Sequence, residues 1–106
     1  MATQTILICD DSAIVRSDLR SMLERNGFGV IVAEDGDVAA DLAKQNDDIS
    51  LCIIDYNMPT MNGLETMHAI REHEKHSGVP VFILTTECAD NLIKQARDEG
   101  ATAWIV

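Results

Sequence analysis

Leu51-Cys52-Ile53-Ile54-Asp55 is four apolar residues in succession closed by an acid. A strand with one wet face alternates apolar and polar side chains, whereas a strand covered on both faces does not, so this run reads as the interior of a parallel sheet. Similar runs lie on either side of it, at Thr5-Ile6-Leu7-Ile8-Cys9, Val30-Ile31-Val32-Ala33, Val81-Phe82-Ile83-Leu84 and Ala103-Trp104-Ile105-Val106. The segments between them carry helical spacing. Val15, Leu19, Met22 and Leu23 stand at i, i+4, i+7 and i+8, with Asn26-Gly27 as a stop. Val38, Ala39, Leu42 and Ala43 follow the turn Asp35-Gly36; Leu64, Met67, Ala69, Ile70 and Arg71 form a third stripe, and Leu92, Ile93 and Ala96 a fourth that ends before Gly100. Strand and helix alternate through short connections, which predicts βαβ units and an α/β fold with a doubly wound, mostly parallel sheet of five strands.

The 106 residues suffice for one domain, and no linker, repeat or low-complexity stretch divides them. Hydrophobic residues at 46% and charged residues at 25% are the balance of a globular chain with an ordinary core. Asp plus Glu number 18 against 8 Lys plus Arg, and the net charge of −10 disfavours nucleic-acid phosphates or an anionic membrane as direct ligands. No apolar run approaches the roughly 18 residues of a membrane span, and Met1-Ala2-Thr3-Gln4 lacks the layout of a signal peptide, so the expected location is the cytoplasm. Cys9, Cys52 and Cys88 are odd in number and lack CxxC spacing, which argues against a disulfide framework. His68, His73 and His76 have no zinc spacing and read as solvated helix histidines without a role.

Three of the apolar runs end in polar residues of a particular kind: Asp10-Asp11, Asp55 and Thr85-Thr86. In a parallel sheet the carboxyl ends of the strands share one edge, and ligands bind in the crevice outside it, so residues distant in sequence become neighbours there. Carboxylates gathered in one crevice repel, raising at least one pKa unless a cation intervenes. A hard divalent ion suits oxygen ligands, and Mg²⁺ is the natural choice for phosphate chemistry. Asp10, Asp11 and Asp55 are then ligands, or one of them does more. The plain alternative is that strand-end aspartates only cap the helices that follow; Asp10-Asp11-Ser12 alone fits it, but Asp55 and Thr85 at matching strand ends weigh against it.

The acidic pair Asp10-Asp11, the run Asp55-Tyr56-Asn57-Met58-Pro59-Thr60-Met61-Asn62-Gly63, the strand-end Thr85 and the segment Gly100-Ala101-Thr102-Ala103-Trp104 together resemble the receiver domain of two-component response regulators, with a stand-alone chemotaxis-type regulator as the leading reading. The resemblance spans the chain and implies the flavodoxin-like strand order 2-1-3-4-5. It implies that Asp55 is a phosphoacceptor that takes a phosphoryl group from a sensor histidine kinase or phosphotransfer protein. Mg²⁺ would be held by Asp10, Asp11, Asp55 and the main-chain carbonyl of Asn57. Thr85 would bond a phosphoryl oxygen after transfer and Trp104, at the aromatic switch position, would turn inward and remodel a face for a downstream protein target. A tryptophan packed on an edge strand is the plainer reading of Trp104. Asn57 and Glu87 occupy positions that tune the lifetime of the acyl phosphate, and Thr86 narrows access where the family carries a smaller residue. Such a protein supports its own phosphoryl transfer and dephosphorylation without being an enzyme. Pro59 and Gly63 read as the residues that shape the acceptor loop, Gly63 by permitting a turn.

Two departures from the family pattern carry expectations. Thr86 is one. The other is the end at Val106, where the family continues with a site lysine, a proline and a last helix. The expectation is a single receiver domain over residues 1–106 truncated at its C-terminal end, weak in holding phosphate, with one sheet face uncovered and prone to homodimerise or exchange elements. Two other functions compete: a phosphorylation-independent interaction module of the same fold, and a metal-dependent phosphohydrolase. The second would want another acid two residues after the nucleophile, where Asn57 stands.

Overall fold

Five strands alternate with four α-helices in the computed structural model, which describes residues 4–85 and 90–106. In chain order they are β1 (Thr5–Cys9), α1 (Ala13–Arg25), β2 (Gly29–Ala33), α2 (Gly36–Gln45), β3 (Ile49–Asp55), α3 (Gly63–Arg71), β4 (Val81–Leu84), α4 (Asp90–Asp98) and β5 (Ala103–Ile105), with a 3-10 turn at Glu74–His76 between α3 and β4. All neighbouring strands pair in parallel, in the order β2-β1-β3-β4-β5. The flavodoxin-like order implied by the resemblance is the one observed.

Alternate strand positions point to opposite faces, and the two faces are unequal. On one, Leu7, Cys9, Cys52, Ile54, Val81 and Ile83 pack with Ala39 and Ala43 of α2, Leu64, Met67 and Ile70 of α3, and Ala96 of α4. On the other, Ile6, Ile8 and Ile53 meet, among the described helical residues, Leu19 and Leu23 of α1. The contacts of this one helix fall mainly on β1 and β2. As a result no residue of α1 is buried. Met22, expected on its apolar stripe, is 44% exposed, and Ile14, Ile105 and Val106 also stand in solvent.

Local signals explain the helix boundaries. The Ser12 hydroxyl accepts from Val15 N and Asp35 Oδ1 accepts from Val38 N, so both helices start on a side-chain cap. At α3 the cap is reciprocal: Asn62 Oδ1 accepts from Glu65 N at 2.9 Å while Glu65 Oε1 accepts from Asn62 N at 2.9 Å. Helix α1 ends at Asn26, followed by Gly27 at φ 87°, a backbone region that glycine enters without strain. Gly63 plays a different part from the turn read for it: its φ is not positive, and a Cβ there would stand 2.9 Å from both Asp55 O and Tyr56 Cα. Glycine is needed because α3 begins against the backbone of Asp55 and Tyr56.

The histidines divide, against the expectation that all three are solvated. His68 and His73 reach Glu99 and Asp47 at the surface, but His76 is fully buried with Nε2 2.8 Å from the Ala43 carbonyl, tying the 3-10 turn to the end of α2. The ring of His76 is apolar enough on its faces to pack, and its ring bond goes to a carbonyl in the last turn of α2 that also accepts from Asn46 N at 3.4 Å. Cys9 and Cys52 are buried, free thiols whose pKa values burial pushes up to about 12, so both behave as small hydrophobes. Among the described residues, no helix is long and apolar enough to cross a membrane.

Candidate functional site

The acids converge because of strand register. Cys9 pairs with Ile54, so the residues one step further, Asp10 and Asp55, emerge side by side at the carboxyl edge of the two central strands. Asp55 is the last residue of β3 and pairs with Leu84, which brings Thr85 to the same edge. Asp10, Asp11 and Asp55 each present a carboxylate oxygen, all within 4.8 Å of one another. Thr85, 8% exposed, is anchored by its N–H to the Ile105 carbonyl at 2.9 Å.

These residues line one end of a cleft of about 420 Å³ whose other walls are Ser12, Val15, Leu84, Ile105 and Val106. The cleft therefore runs from a cluster of carboxylates onto the sheet face that α1 leaves open. Sequence reasoning did not single out this apolar half, because its members are ordinary core-type residues until the tertiary structure leaves them uncovered.

The division of labour between Asp10, Asp11 and Ser12 answers the capping alternative. Ser12 caps α1, and the Asp10 carboxylate accepts from Ser12 N at 2.8 Å while its backbone carbonyl accepts from Arg16 Nη1 at 2.7 Å. Asp10 is thereby locked, 6% exposed, and Asp11 is left at the surface beside it. Burial, Asp10 and then Asp11 push Asp55 up to about 6, despite an opposing bond from Asn57 N to Asp55 Oδ1 at 3.3 Å. Burial also raises Asp10, and the Asp11 charge adds to it. Three carboxylate oxygens within 4.8 Å, gathered where burial and mutual repulsion raise two of the groups, form an all-oxygen donor set that fits a hard divalent cation such as Mg²⁺.

Asn57 is exposed on the loop after Asp55. Met58 lies behind that loop with its sulfur 3.4 Å from the Cys9 thiol. Trp104 is half-buried on β5 and its ring meets Tyr56, centroids 5.4 Å apart and planes tilted by 55°. Tyr56 was not singled out in the sequence; its position next to Asp55 is the only signal there, and it does not predict a ring contact two strands away. Thr86 and Glu87, expected with Asn57 to tune the site, lie outside the described residues, as does Cys88.

Residues 6–106 match the response regulator receiver domain family. The chain is a response regulator receiver domain. Over 102 residues it is 36% identical to a chemotaxis protein CheY homolog of Campylobacter jejuni, covering 95% of this chain and 78% of that protein. The chemotaxis protein CheY4 of Vibrio cholerae superposes with a TM-score of 0.93 at 32% identity, over 99% of this chain and 87% of that one. The CheY of Borrelia burgdorferi, solved in complex with CheX, BeF₃ and Mg²⁺, superposes with a TM-score of 0.88 at 28% identity, over 97% of this chain and 77% of that one. The receiver is thus of the chemotaxis-regulator type and belongs to two-component signal transduction.

The raised carboxyl groups make the metal-free receiver sensitive to pH in a defined direction. With Asp55 at about 6 in the folded state against an ordinary 3.8, the folded chain holds the extra proton between those values, so stability falls as pH rises through that window and levels off above it. Asp55 is only half-buried, and after allowance for solvent screening the loss is about 1 kcal/mol. Asp47 and Glu99, lowered by their Lys75 and His68 partners, act in the opposite sense, Asp47 below that window and Glu99 no higher than its ordinary 4.5. The expected result, by urea unfolding in a chelator between about pH 4.5 and 7, is a midpoint that declines for the native chain and stays flatter for Asp55→Asn. Equal slopes for the two would contradict the cluster.

Proposed function

We propose that this receiver accepts a phosphoryl group on Asp55 from a phosphohistidine of a sensor kinase or phosphotransfer protein. The observation that carries the reading is the meeting of three carboxylate oxygens within 4.8 Å at the edge where β1 and β3 end. Asp10, Asp11, Asp55 and the main-chain carbonyl of Asn57 would hold Mg²⁺, which would supply positive charge to offset that of the carboxylates and the incoming phosphoryl group. The protein's own part is alignment. Asp55, ionised above its raised pKa, presents an oxygen in line with the donor's phosphorus; the new O–P bond forms as the imidazole N–P bond breaks, and the ring nitrogen keeps the electron pair.

Once the acyl phosphate is formed, the Thr85 hydroxyl at the same edge donates to a phosphoryl oxygen, a contact that exists in the modified state alone and so shifts the equilibrium toward it. Trp104 carries that shift to the face between α4 and β5, where a downstream protein target would read it. Asn57, Thr86 and Glu87 set the lifetime of the acyl phosphate. Incubation with acetyl phosphate, with and without Mg²⁺, tests the proposal. The expected product is one acid-labile phosphoryl group on Asp55 that requires the ion. Absence of an adduct would identify an interaction module instead, and continuous turnover of the donor a hydrolase.

The open face has its own consequence. Ile105 at 44% exposure and Val106 at 72% line the apolar half of the cleft, Ile14 at 74% stands in solvent on α1, and a second copy of the chain is the proposed cover. Sedimentation of the 106-residue chain should show a dimer that Ile14→Glu dissociates; a monomer across the micromolar range would overturn this proposal.

A further inference from the structure

The backbone of Tyr56 is held from two directions. Its N–H donates to the Leu84 carbonyl at 2.8 Å, and its carbonyl accepts from Gly63 N at 2.9 Å. With Gly63 packed against Tyr56 Cα, the residue after Asp55 has little freedom to rotate about its own chain. Its half-buried side chain extends across the end of β4 to β5, where the ring meets Trp104 at 5.4 Å. Trp104 in turn lines a second cleft, of about 230 Å³, together with Ile93, Ala96 and Arg97 of α4 and Ala101 to Ala103. One ring contact therefore links the loop that follows Asp55 to the wall of this second cleft.

We propose that Tyr56 is a positioning residue that sets the orientation of Trp104, giving the acceptor loop a direct mechanical route to the α4 and β5 face alongside the route through Thr85. The inference rests on the reading of Asp55 as acceptor and Trp104 as the moving aromatic. Its physical basis is that two tilted rings in contact exclude intermediate orientations of either one. A displacement of the loop when Asp55 is modified moves the Tyr56 ring with it, because its backbone bonds leave no slack. Trp104 must then reorient or lose its neighbour. The ring, rather than the phenol hydroxyl, makes the contact, so phenylalanine keeps the coupling and an aliphatic side chain does not.

Trp104 is the only tryptophan, and its emission reports on it alone. The experiment compares the full chain with Tyr56→Phe and Tyr56→Leu, exciting tryptophan selectively, before and after Mg²⁺ with beryllofluoride, and scores phosphoryl uptake from acetyl phosphate in parallel. Expected are an emission change on beryllofluoride in the native chain, the same change in Tyr56→Phe, and its loss in Tyr56→Leu with phosphoryl uptake retained. A wild-type response in Tyr56→Leu overturns the inference. So does loss of uptake together with the response, which would place Tyr56 in the acceptor machinery rather than in the coupling. Failure of the native chain to take up phosphoryl groups would refute the acceptor reading; the basal emission of Tyr56→Leu then still decides the ring contact, an unshifted spectrum counting against it.

Discussion

Asp55→Asn should reduce the phosphoryl uptake to background, a loss of roughly 100-fold or more, since the amide oxygen is a far poorer nucleophile than the carboxylate it replaces. The same substitution should leave the metal-free fold intact and raise its stability at neutral pH. It removes one charge from a cluster whose members repel across less than 4.8 Å, and the Asn57 N–H keeps an oxygen to bond. Mg²⁺ should then stabilise the variant much less than the native chain, because one of three carboxylate donors is gone. Phosphoryl uptake followed by intact mass, and unfolding midpoints with and without Mg²⁺, check both halves. Retained Mg²⁺-dependent uptake in Asp55→Asn would place the acceptor elsewhere and undo the proposed function. A variant that is less stable in chelator than the native chain would show instead that Asp55 is held by favourable contacts rather than tolerated against repulsion.

The largest effect on stability should come from Leu7→Ala, at about 2–5 kcal/mol. Leu7 is fully buried on β1, flanked by β2 and β3, and faces the side of the sheet that three helices cover. Rigid neighbours on all sides leave the deleted atoms as a cavity that cannot collapse, and a loss of that size consumes much of the 5–15 kcal/mol typical of a domain. Leu19→Ala on α1 is the informative comparison. Leu19 is only half-buried, on a face where one helix covers part of the sheet, and the surroundings there can relax or admit water. Its cost should stay below about 1.5 kcal/mol. Urea midpoints at unchanged slope measure both. Similar losses for the two substitutions would mean that the α1 face is as well packed as the other, and the proposed self-association would lose its physical cause.

What could be read from the sequence is what depends on local order. The apolar runs read as strands because in the central strands both faces are buried, as at Ile6, Leu7, Ile8 and Cys9, and the ends of β1 and β4 fall where Asp10 and Thr85 interrupt them. Ser12, Asp35 and Asn62 mark helix starts by a hydrogen bond within three residues, which is likewise local. The placing of Asp10, Asp11 and Asp55 at one edge was also legible, since parallel strands put all their carboxyl ends together whatever the side chains do. Other features were settled by tertiary packing. Met22 has the spacing of a core residue yet is exposed on α1, none of whose residues is buried; His76 has the composition of a surface residue and is buried because the 3-10 turn folds onto Ala43. Gly63 is required by the close approach of α3 to Asp55 and Tyr56, and Tyr56 reaches Trp104 only because β3 and β5 flank β4. Exposure and contact between distant segments depend on what covers what, and that is a property of the assembled sheet rather than of any stretch of chain.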